Sequence, residues 1–309
     1  MRPANVEQDV RRDGRPPSFL AQAGAEDGRL TTPPDANERR NPFASRHVML
    51  LAAHPDDEVI GAGGQYAAMG RLELVLLTDG ASSHRTAWKR GWLSRGRYAA
   101  CRLQESQKAA SLSGVSAAAT VLGVRDGDAS LSLVAAVEGL ARLLDASRPD
   151  LLLTHAYEGG HPDHDAAAFM ARAACALVPG IPLWEMTGYH AAAASAEPNV
   201  TGSVGTVAVE TGRFLAPAAA VFPPEVVIAL DAEASRLKRH MLDCFASQRH
   251  VLATIAPDLA AERFRPAPDY DFRMPPHAGP LLFEAQDWVR CTGAQWRALA
   301  EEASQKLAT

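Results

Sequence analysis

Residues 50–65 of the chain read LLAAHPDDEVIGAGGQ, and the fold can be worked out from this stretch. The apolar run Val48–Ala53 predicts a buried parallel strand, and the sequence beyond Glu58 predicts a helix. One imidazole, that of His54, and three carboxylates therefore lie at the carboxyl end of a strand, where open α/β sheets place their ligand sites. Burying so much negative charge is costly unless a cation or hydrogen bonds compensate it. A metal site is the simplest interpretation.

Strands and helices alternate along the chain from Arg46 onward. Apolar runs predict the strands, and apolar residues at helical spacing predict the helices that separate them. The predicted strands after the first are 72–78, 118–122 and 150–154, and the predicted helices are 58–69, 96–112, 131–144 and 164–177. This alternation predicts an α/β fold with a Rossmann-like, mostly parallel sheet and helices on both faces.

The last third of the chain is less regular and predicts a C-terminal extension of the same domain. Ser203–Glu210 and Val226–Leu230 have the apolar character of strands, and Ala232–Ser247 has that of a helix. The segment Arg263–Pro280 is rich in proline and aromatic residues, which favours a loop.

The first 44 residues differ from the rest in composition. They contain seven Arg, seven Asp or Glu and six Pro, with few bulky apolar residues. Such a segment cannot bury enough surface to offset the entropy lost on ordering. We therefore expect a disordered or loosely packed leader at residues 1–44 and a single domain at residues 45–309, less regular from about residue 190.

The bulk composition excludes some classes of function. A net charge of −5 over 309 residues argues against nucleic-acid binding, which needs a basic surface. No apolar stretch has the length of a membrane span, and no apolar core follows the N-terminal arginines as in a secretory signal. The four cysteines are far apart and form no CxxC pair, which is typical of reduced thiols. We expect a cytoplasmic protein, and its oligomeric state stays open.

A second histidine-rich stretch follows another predicted strand. Residues 157–164 read YEGGHPDH and come after the apolar run Leu151–Thr154. His161 and His164 are three positions apart, which places them on one face once a helix begins. One or two of these imidazoles, with His54 and a carboxylate from the first stretch, would make a three-ligand zinc site with an open position, the catalytic form.

The two stretches together resemble a known family. HPDDE at His54–Glu58 and HPDH at His161–His164 are similar to the two signature motifs of the PIG-L/LmbE-like zinc-dependent de-N-acetylases. The resemblance extends to Leu77–Gly80, Arg102–Glu105 and Asp126-Gly127, and it covers roughly residues 46–190. It implies an LmbE-like fold and hydrolysis of the N-acetyl group of an N-acetylglucosamine-type conjugate, a small-molecule substrate.

The resemblance also implies roles for individual residues. By position, it assigns metal ligands (His54, Asp57 and His164), catalytic residues (Asp56, His161 and Asp163) and substrate-binding residues (Arg102 and Asp126). Asp56 would be the general base, His161 would act near the developing oxyanion, and Asp163 would be the partner that orients His161. The implied metal is Zn²⁺, and Fe²⁺ fits the same ligands.

Other interpretations of single residues stay open. Glu58 could cap the helix that follows it. His155 and His84 could contact substrate or could be structural. A surface or helix-pairing role competes with substrate binding for Arg102. The glycines at 61–64 do not have the spacing of a dinucleotide-binding loop, and close packing explains them better.

Three functions remain to be distinguished. The first is deacetylation of an N-acetylated amino sugar. The second is a zinc amidase with the same machinery and a different substrate, a non-sugar amide or a thiol conjugate. The third is a catalytically idle sugar-binding module, against which the intact pair of motifs argues, since a binder has no need of a general base.

Overall fold

The computed structural model describes residues 41–82, 94–114, 119–192, 200–204, 207–215, 223–287 and 289–309. The strands in these ranges are β1 (His47–Ala52), β2 (Arg71–Thr78), β3 (Ala119–Val124), β4 (Leu151–His155), β5 (Leu183–Met186), β6 (Tyr189–Ala191), β7 (Val200–Val204), β8 (Val207–Thr211), β9 (Val226–Ala229) and β10 (Ala261–Pro266). The helices are α1 (Asp57–Ala62), α2 (Arg95–Ser111), α3 (Leu133–Ser147), α4 (Pro162–Leu177), α5 (Ala232–Asp243), α6 (Arg249–Ile255) and α7 (Gly293–Leu307). Within the described ranges, no helix is long and apolar enough to cross a membrane.

The main sheet has the order β3-β2-β1-β4-β5-β10-β9. The five strands from β3 to β5 are parallel, whereas β10 runs antiparallel to both of its neighbours. The predicted mostly parallel sheet is therefore confirmed. The strand order changes direction at β1, because β2 and β3 lie on one side of it and β4 and β5 on the other. Open α/β sheets bind their ligands at such a switch point.

Helices cover both faces of the sheet, as predicted. Side chains of the central strand β1 alternate between two apolar layers, as the period of a strand requires. Met49 and Leu51 pack in the layer formed with α3, α4 and α7. Leu50 and Ala52 pack in the layer formed with α1, α2 and α5. These four side chains are at most 1% exposed, so β1 lies at the centre of the core. The position of β1 therefore determines where the residues after its carboxyl end lie.

The single strand predicted at Ser203–Glu210 is wrong. Two strands occupy this region: β7 ends at Val204, β8 begins at Val207, and the two pair antiparallel. With β6 they form a second sheet of order β6-β8-β7. In the sequence, a glycine at position 205 separates the two apolar runs, and glycine is a common signal for the end of a strand.

Other predicted elements have different bounds. The helix predicted at 58–69 is α-helical only as far as Ala62 and continues as a 3-10 helix, Gly63–Ala68. The glycines at 61, 63 and 64 account for this, because glycine is a poor helix former. The loop predicted at Arg263–Pro280 begins inside β10, where Phe264 is fully buried and pairs with Met186 of β5.

The packed part of the chain begins before residue 45. Phe43 is fully buried and packs edge-on against Phe264, with 4.6 Å between ring centroids. The amide of Asn41 donates a hydrogen bond to Gln65 at 2.9 Å. Residues 41–44 thus belong to the domain, and residues 1–40 of the expected leader lie outside the described residues.

A chain that begins at Asn41 is expected to melt like the full chain, because residues 1–40 lack the apolar content to add a core. In the shortened chain, Phe43→Ala should lower the free energy of unfolding by about 3–5 kcal/mol, the cost of emptying a buried phenylalanine site. Urea denaturation measures both. Leu30→Ala in the full chain is the control and should have no effect. A lower stability on truncation would contradict the composition argument.

Candidate active site

The two histidine motifs meet at the carboxyl edge of the main sheet. β1 and β4 are adjacent and parallel, with Leu50 opposite Leu153. The chain leaves β1 into His54, and it leaves β4 into the loop that leads to α4. Because parallel strands end at the same edge, the structure brings HPDDE and HPDH together as the sequence predicted.

The three predicted metal ligands turn their donor atoms towards one another. Oδ2 of Asp57 lies 3.0 Å from Nδ1 of His54 and 3.2 Å from Nε2 of His164. All three residues are at most 7% exposed. Nε2 of His164 has no hydrogen-bond partner among the described residues, although it lies so close to a carboxylate. Two ligands that share a metal ion are expected to have this arrangement.

The wider set of donors also fits a catalytic metal. Imidazole and carboxylate donors form three groups, and within each group the three donor atoms lie within 4.8 Å of one another. The groups are His54, His161 and His164; Asp57, His155 and His164; and His54, Asp126 and Asp163. Two imidazoles and one carboxylate leave an open position on a four-coordinate ion. Nitrogen and oxygen donors of this kind suit Zn²⁺ and Fe²⁺.

Burial and neighbouring charges oppose each other at two of the ligands. Burial lowers the pKa of His54, but the carboxylates around it, Asp126 above all, outweigh burial and raise that pKa well above its ordinary value. Burial raises the pKa of Asp57, but His164 and His54 outweigh it and hold that pKa well below its ordinary value. Asp57 therefore stays ionised, which is the form that binds a metal.

Asp163 orients His54. Its carboxylate accepts hydrogen bonds from Nε2 of His54 at 3.1 Å and from the backbone N–H groups of Gly127 at 2.7 Å and Ala129 at 3.1 Å. The expectation that this carboxylate orients His161 is wrong, because Asp163 contacts His161 through its backbone N–H. A carboxylate that holds one nitrogen of a ligand histidine leaves the other nitrogen, here Nδ1, free to face the metal.

His161 is the N-cap of α4 and lines a cavity. Its Nδ1 accepts a hydrogen bond from the backbone N–H of Asp163 at 3.1 Å. In the neutral ring the proton is therefore on Nε2. The ring meets that of His54 edge-on, with 4.5 Å between centroids, and it lines the same cavity as Asp56. This geometry suits a hydrogen-bond donor to an oxyanion.

Asp56 has a strained backbone at the start of α1. Its φ is 140° and its ψ is −32°, a combination that non-glycine residues rarely adopt and that clusters at functional sites. Oδ2 lies 3.2 Å from Nη2 of Arg102. Burial raises the pKa of Asp56 to about 8, although Arg102 opposes the shift. The carboxylate lines the cavity beside the metal ligands, where a general base is needed.

Arg102 braces the loop that carries Asp56. It donates hydrogen bonds from Nη1 to the carbonyl of Gly80 at 2.8 Å and from Nη2 to that of Pro55 at 2.6 Å. Gly80 has a φ of 64°, and a Cβ there would lie 3.1 Å from the guanidinium carbon. Because Arg102 is only 4% exposed, the surface alternative is wrong. The helix-pairing alternative stays open, since Arg102 of α2 contacts Asp56, the N-cap residue of α1. Contact with a sugar stays a prediction.

Glu58 holds the first motif against α2. Its carboxylate accepts a hydrogen bond from the backbone N–H of Asp56 at 2.8 Å and one from the hydroxyl of Ser106 at 2.6 Å. The residue is fully buried, and burial raises its pKa to about 7. Glu58 therefore supports the backbone of Asp56, the residue before α1, and it does not line the cavity.

His155, the last residue of β4, packs behind the metal ligands. Its Nε2 accepts the backbone N–H of Ala53 at 3.0 Å, and its ring stacks on that of His164 with 4.0 Å between centroids. Burial, aided by His164, lowers the pKa of His155 well below its ordinary value. The neutral ring is a structural support. His84 lies outside the described residues.

A cavity of about 160 Å³ opens over both motifs. Its polar lining consists largely of the predicted site residues: His54, Asp56, Asp57, Arg102, Asp126 and His161. Much of the remaining lining is aliphatic, from Ile60, Val209, Val251, Ile255 and Leu282, and Tyr189 is also present. Except for Ile60, this second group comes from beyond β5. This group could not be predicted from the sequence, because the local sequence around an apolar residue does not indicate which cavity the residue lines.

Replacing His164 by alanine is expected to abolish stoichiometric metal binding, because two remaining protein ligands hold a divalent ion weakly. Elemental analysis of the purified protein measures it. The control is His250→Ala, which removes an imidazole that lines the same cavity but belongs to none of the donor groups. A full equivalent of metal retained by His164→Ala would show that the ligand assignment is wrong.

Comparison with known proteins agrees with this geometry. Residues 49–175 match the model of the PIG-L family, described as GlcNAc-PI de-N-acetylase. No curated protein sequence matches the chain. Three solved structures are similar in fold. The antimicrobial A40926 pseudoaglycone deacetylase has a TM-score of 0.51 and 18% identity, and the match covers 72% of this chain and 97% of that one. The zinc-inhibited form of a teicoplanin deacetylase has a TM-score of 0.52, 17% identity and coverages of 72% and 98%, and a deacetylase triple mutant from the teicoplanin biosynthetic pathway has a TM-score of 0.53, 18% identity and coverages of 73% and 99%.

The two kinds of comparison show different things. At identities of 17% and 18%, the similarity to solved structures shows a common fold. The family match covers β1 through most of α4 and so contains both histidine motifs. The resemblance first seen in HPDDE and HPDH is confirmed for residues 49–175, which match the PIG-L family model described as GlcNAc-PI de-N-acetylase.

Proposed function

We propose that the protein is a metal-dependent hydrolase that removes the N-acetyl group from an N-acetylglucosamine-type unit of a larger conjugate. One observation carries the proposal: Asp56, the ligands His54 and Asp57, and His161 all line a single cavity. A base, a metal and an oxyanion donor around one space are the parts that amide hydrolysis needs. The match to a family of de-N-acetylases supports the choice of amide.

Different residues of the chain hold the metal ion, accept the proton of the attacking water and stabilise the negative charge on the carbonyl oxygen. A divalent ion held by His54, Asp57 and His164 supplies polarisation of the amide carbonyl and a more acidic water. Asp56 takes a proton from the attacking water as the new C–O bond forms. His161 donates a hydrogen bond from Nε2 to the carbonyl oxygen as negative charge builds there.

The leaving amine needs a proton when the C–N bond breaks. His161 is a poor source, because its Nδ1 accepts the N–H of Asp163 and the neutral ring has a single proton to share. Asp56, protonated by the attacking water, is the better source. Passing that proton to the amine nitrogen returns Asp56 to its ionised form and gives acetate and the free amine as products.

The cavity lining suggests how substrate is held. Asp126 lies with Oδ1 3.7 Å from Nε2 of His54, so it is beside the reacting centre and can accept a hydrogen bond from a sugar hydroxyl. The aliphatic side chains of Val209, Ile255 and Leu282 offer an apolar surface to the acetyl methyl group and to the less polar parts of the conjugate.

Release of acetate from a substrate panel tests the proposal. The panel contains N-acetylglucosamine glycosides, N-acetylated amino acids and an N-acetylated thiol conjugate, each assayed after removal and return of Zn²⁺. We expect metal-dependent release from the glycosides. Preferential cleavage of the non-sugar amides would favour an amidase of different specificity. Binding of glycosides with no release from any substrate, in protein with its metal, would favour a sugar-binding module and overturn the proposal.

A further inference from the structure

Among the buried polar atoms near the metal ligands that lack hydrogen-bond partners in the part of the chain that the structure describes are two in different residues that pack against Gly188. One is Nδ1 of His164, and the other is Oε2 of Glu158. Both residues are 1% exposed. A buried group without a partner costs on the order of 1–3 kcal/mol, and more if it is charged, so such groups call for an explanation.

The unpartnered nitrogen of His164 is a donor. Its Nε2 points at Oδ2 of Asp57, on the side where the metal would lie. A histidine that ligates through Nε2 is neutral and carries its proton on Nδ1. In metal sites that second nitrogen almost always donates to a carboxylate, a carbonyl or a water. The other ligand histidine follows this rule, since Nε2 of His54 donates to Asp163.

The unpartnered oxygen of Glu158 belongs to a buried carboxylate. Its other oxygen, Oε1, accepts the backbone N–H of Gly188 at 3.1 Å, and its own backbone is held by Asp165. A Cβ placed on Gly188 would lie 2.7 Å from Oε1 of Glu158 and 3.6 Å from Nδ1 of His164. Nδ1 of His164 and Oε1 of Glu158 thus border the same space, no more than about 6.3 Å apart, and the unpartnered Oε2 belongs to the same carboxylate. One water can link Nδ1 to that carboxylate.

We propose that Glu158 is the positioning residue for the metal ligand His164, accepting the Nδ1–H across the space beside Gly188, directly or through one water. The inference rests on the proposed function only in requiring that His164 binds a metal. With this role for Glu158, each ligand histidine has a carboxylate partner at its second nitrogen: Asp163 orients His54, and Glu158 orients His164. Glycine at position 188 has a use in this scheme, since any side chain there would separate the two groups.

Glu158→Gln separates this role from a structural one. The amide oxygen of glutamine still accepts the N–H of Gly188, but its NH₂ group cannot accept from Nδ1–H. We expect the variant to bind Zn²⁺ about 10–100-fold more weakly, the usual effect of losing such a partner. The melting temperature of the metal-free protein should stay unchanged. Competition with a chromophoric chelator measures the affinity.

Two further variants give the comparison its controls. Gly188→Ala should weaken Zn²⁺ binding as well, because its methyl group would push the carboxylate of Glu158 away from His164. Glu185→Gln should do the opposite: Glu185 is equally buried and pairs with Arg265 and Tyr270, so its loss should lower the melting temperature and leave Zn²⁺ affinity unchanged.

A spectroscopic readout tests the hydrogen bond itself. In Co²⁺-loaded protein the ring N–H protons of the ligand histidines, on Nε2 of His54 and on Nδ1 of His164, give shifted, exchangeable proton NMR signals. One of them should exchange with D₂O faster in Glu158→Gln than in the wild-type protein. Unchanged Zn²⁺ affinity in Glu158→Gln, or a fall in affinity matched by an equal loss of stability in the metal-free protein, would overturn the inference.

The measurements of Zn²⁺ binding test the role of Glu158 separately from the proposed deacetylase function. Tight Zn²⁺ binding without release of acetate would overturn the function and leave the role of Glu158 intact. Failure of the wild-type protein to bind Zn²⁺ or Co²⁺ would overturn the ligand set and this inference with it.

Discussion

Asp56→Asn is expected to keep its metal and to lose ~10²–10⁴-fold in kcat, the usual contribution of a general base. Asparagine has the shape of aspartate and tolerates a positive φ, so the backbone at φ 140° can persist. Its amide oxygen can still accept from Arg102, which also keeps its bonds to the carbonyls of Pro55 and Gly80. What the amide cannot do is take the proton of the attacking water.

The measurement is acetate release at saturating substrate, with metal content determined on the same samples. Asp150→Asn is the matched control, because Asp150 lies at the opposite end of β1 and β4 and accepts the N–H of His47. That variant should turn over normally. Near-normal turnover of Asp56→Asn would remove the base assignment. Glu58 would not inherit it readily, since both its oxygens already accept hydrogen bonds.

The central part of the fold could be predicted from the sequence because its signals are local. Val48–Ala53 is an apolar run buried on both faces, and it is followed at once by polar residues that can only lie at a strand end. The same holds for β4 and the motif that follows it. Because the two motifs follow the ends of neighbouring parallel strands, the proximity of His54, Asp57 and His164 can be predicted without knowledge of any contact.

The partner of Asp163 could not be predicted because it depends on a distant loop. Its carboxylate is placed by the N–H groups of Gly127 and Ala129, and a backbone N–H has no signature in the sequence. The same limit applies to the aliphatic lining of the cavity. Val209 and Leu282 are buried apolar residues like many others, and only the paths of the second sheet and the C-terminal segment bring them to the site.

The role of His161 can be tested by two substitutions that each keep one of its nitrogens. His161→Asn places an amide near the position of Nδ1, so its oxygen can still accept the N–H of Asp163 and cap α4, a task that asparagine performs well. It loses the Nε2 donor. His161→Gln reaches further and can present an N–H near the position of Nε2, at the expense of the cap.

If His161 acts as the oxyanion donor, His161→Asn should retain the metal and melt normally, yet lose ~10²–10³-fold in kcat with little change in KM, because the interaction forms mainly in the transition state. His161→Gln should recover part of that loss. The two variants should differ little if the ring must instead release a proton to the leaving amine, because neither amide is acidic. Loss of metal from both variants, with activity restored by added Zn²⁺, would show that His161 is a fourth ligand. Its position in one donor group with His54 and His164 is compatible with that role. Three ligands already leave the open position that hydrolysis needs, so we expect the metal to stay.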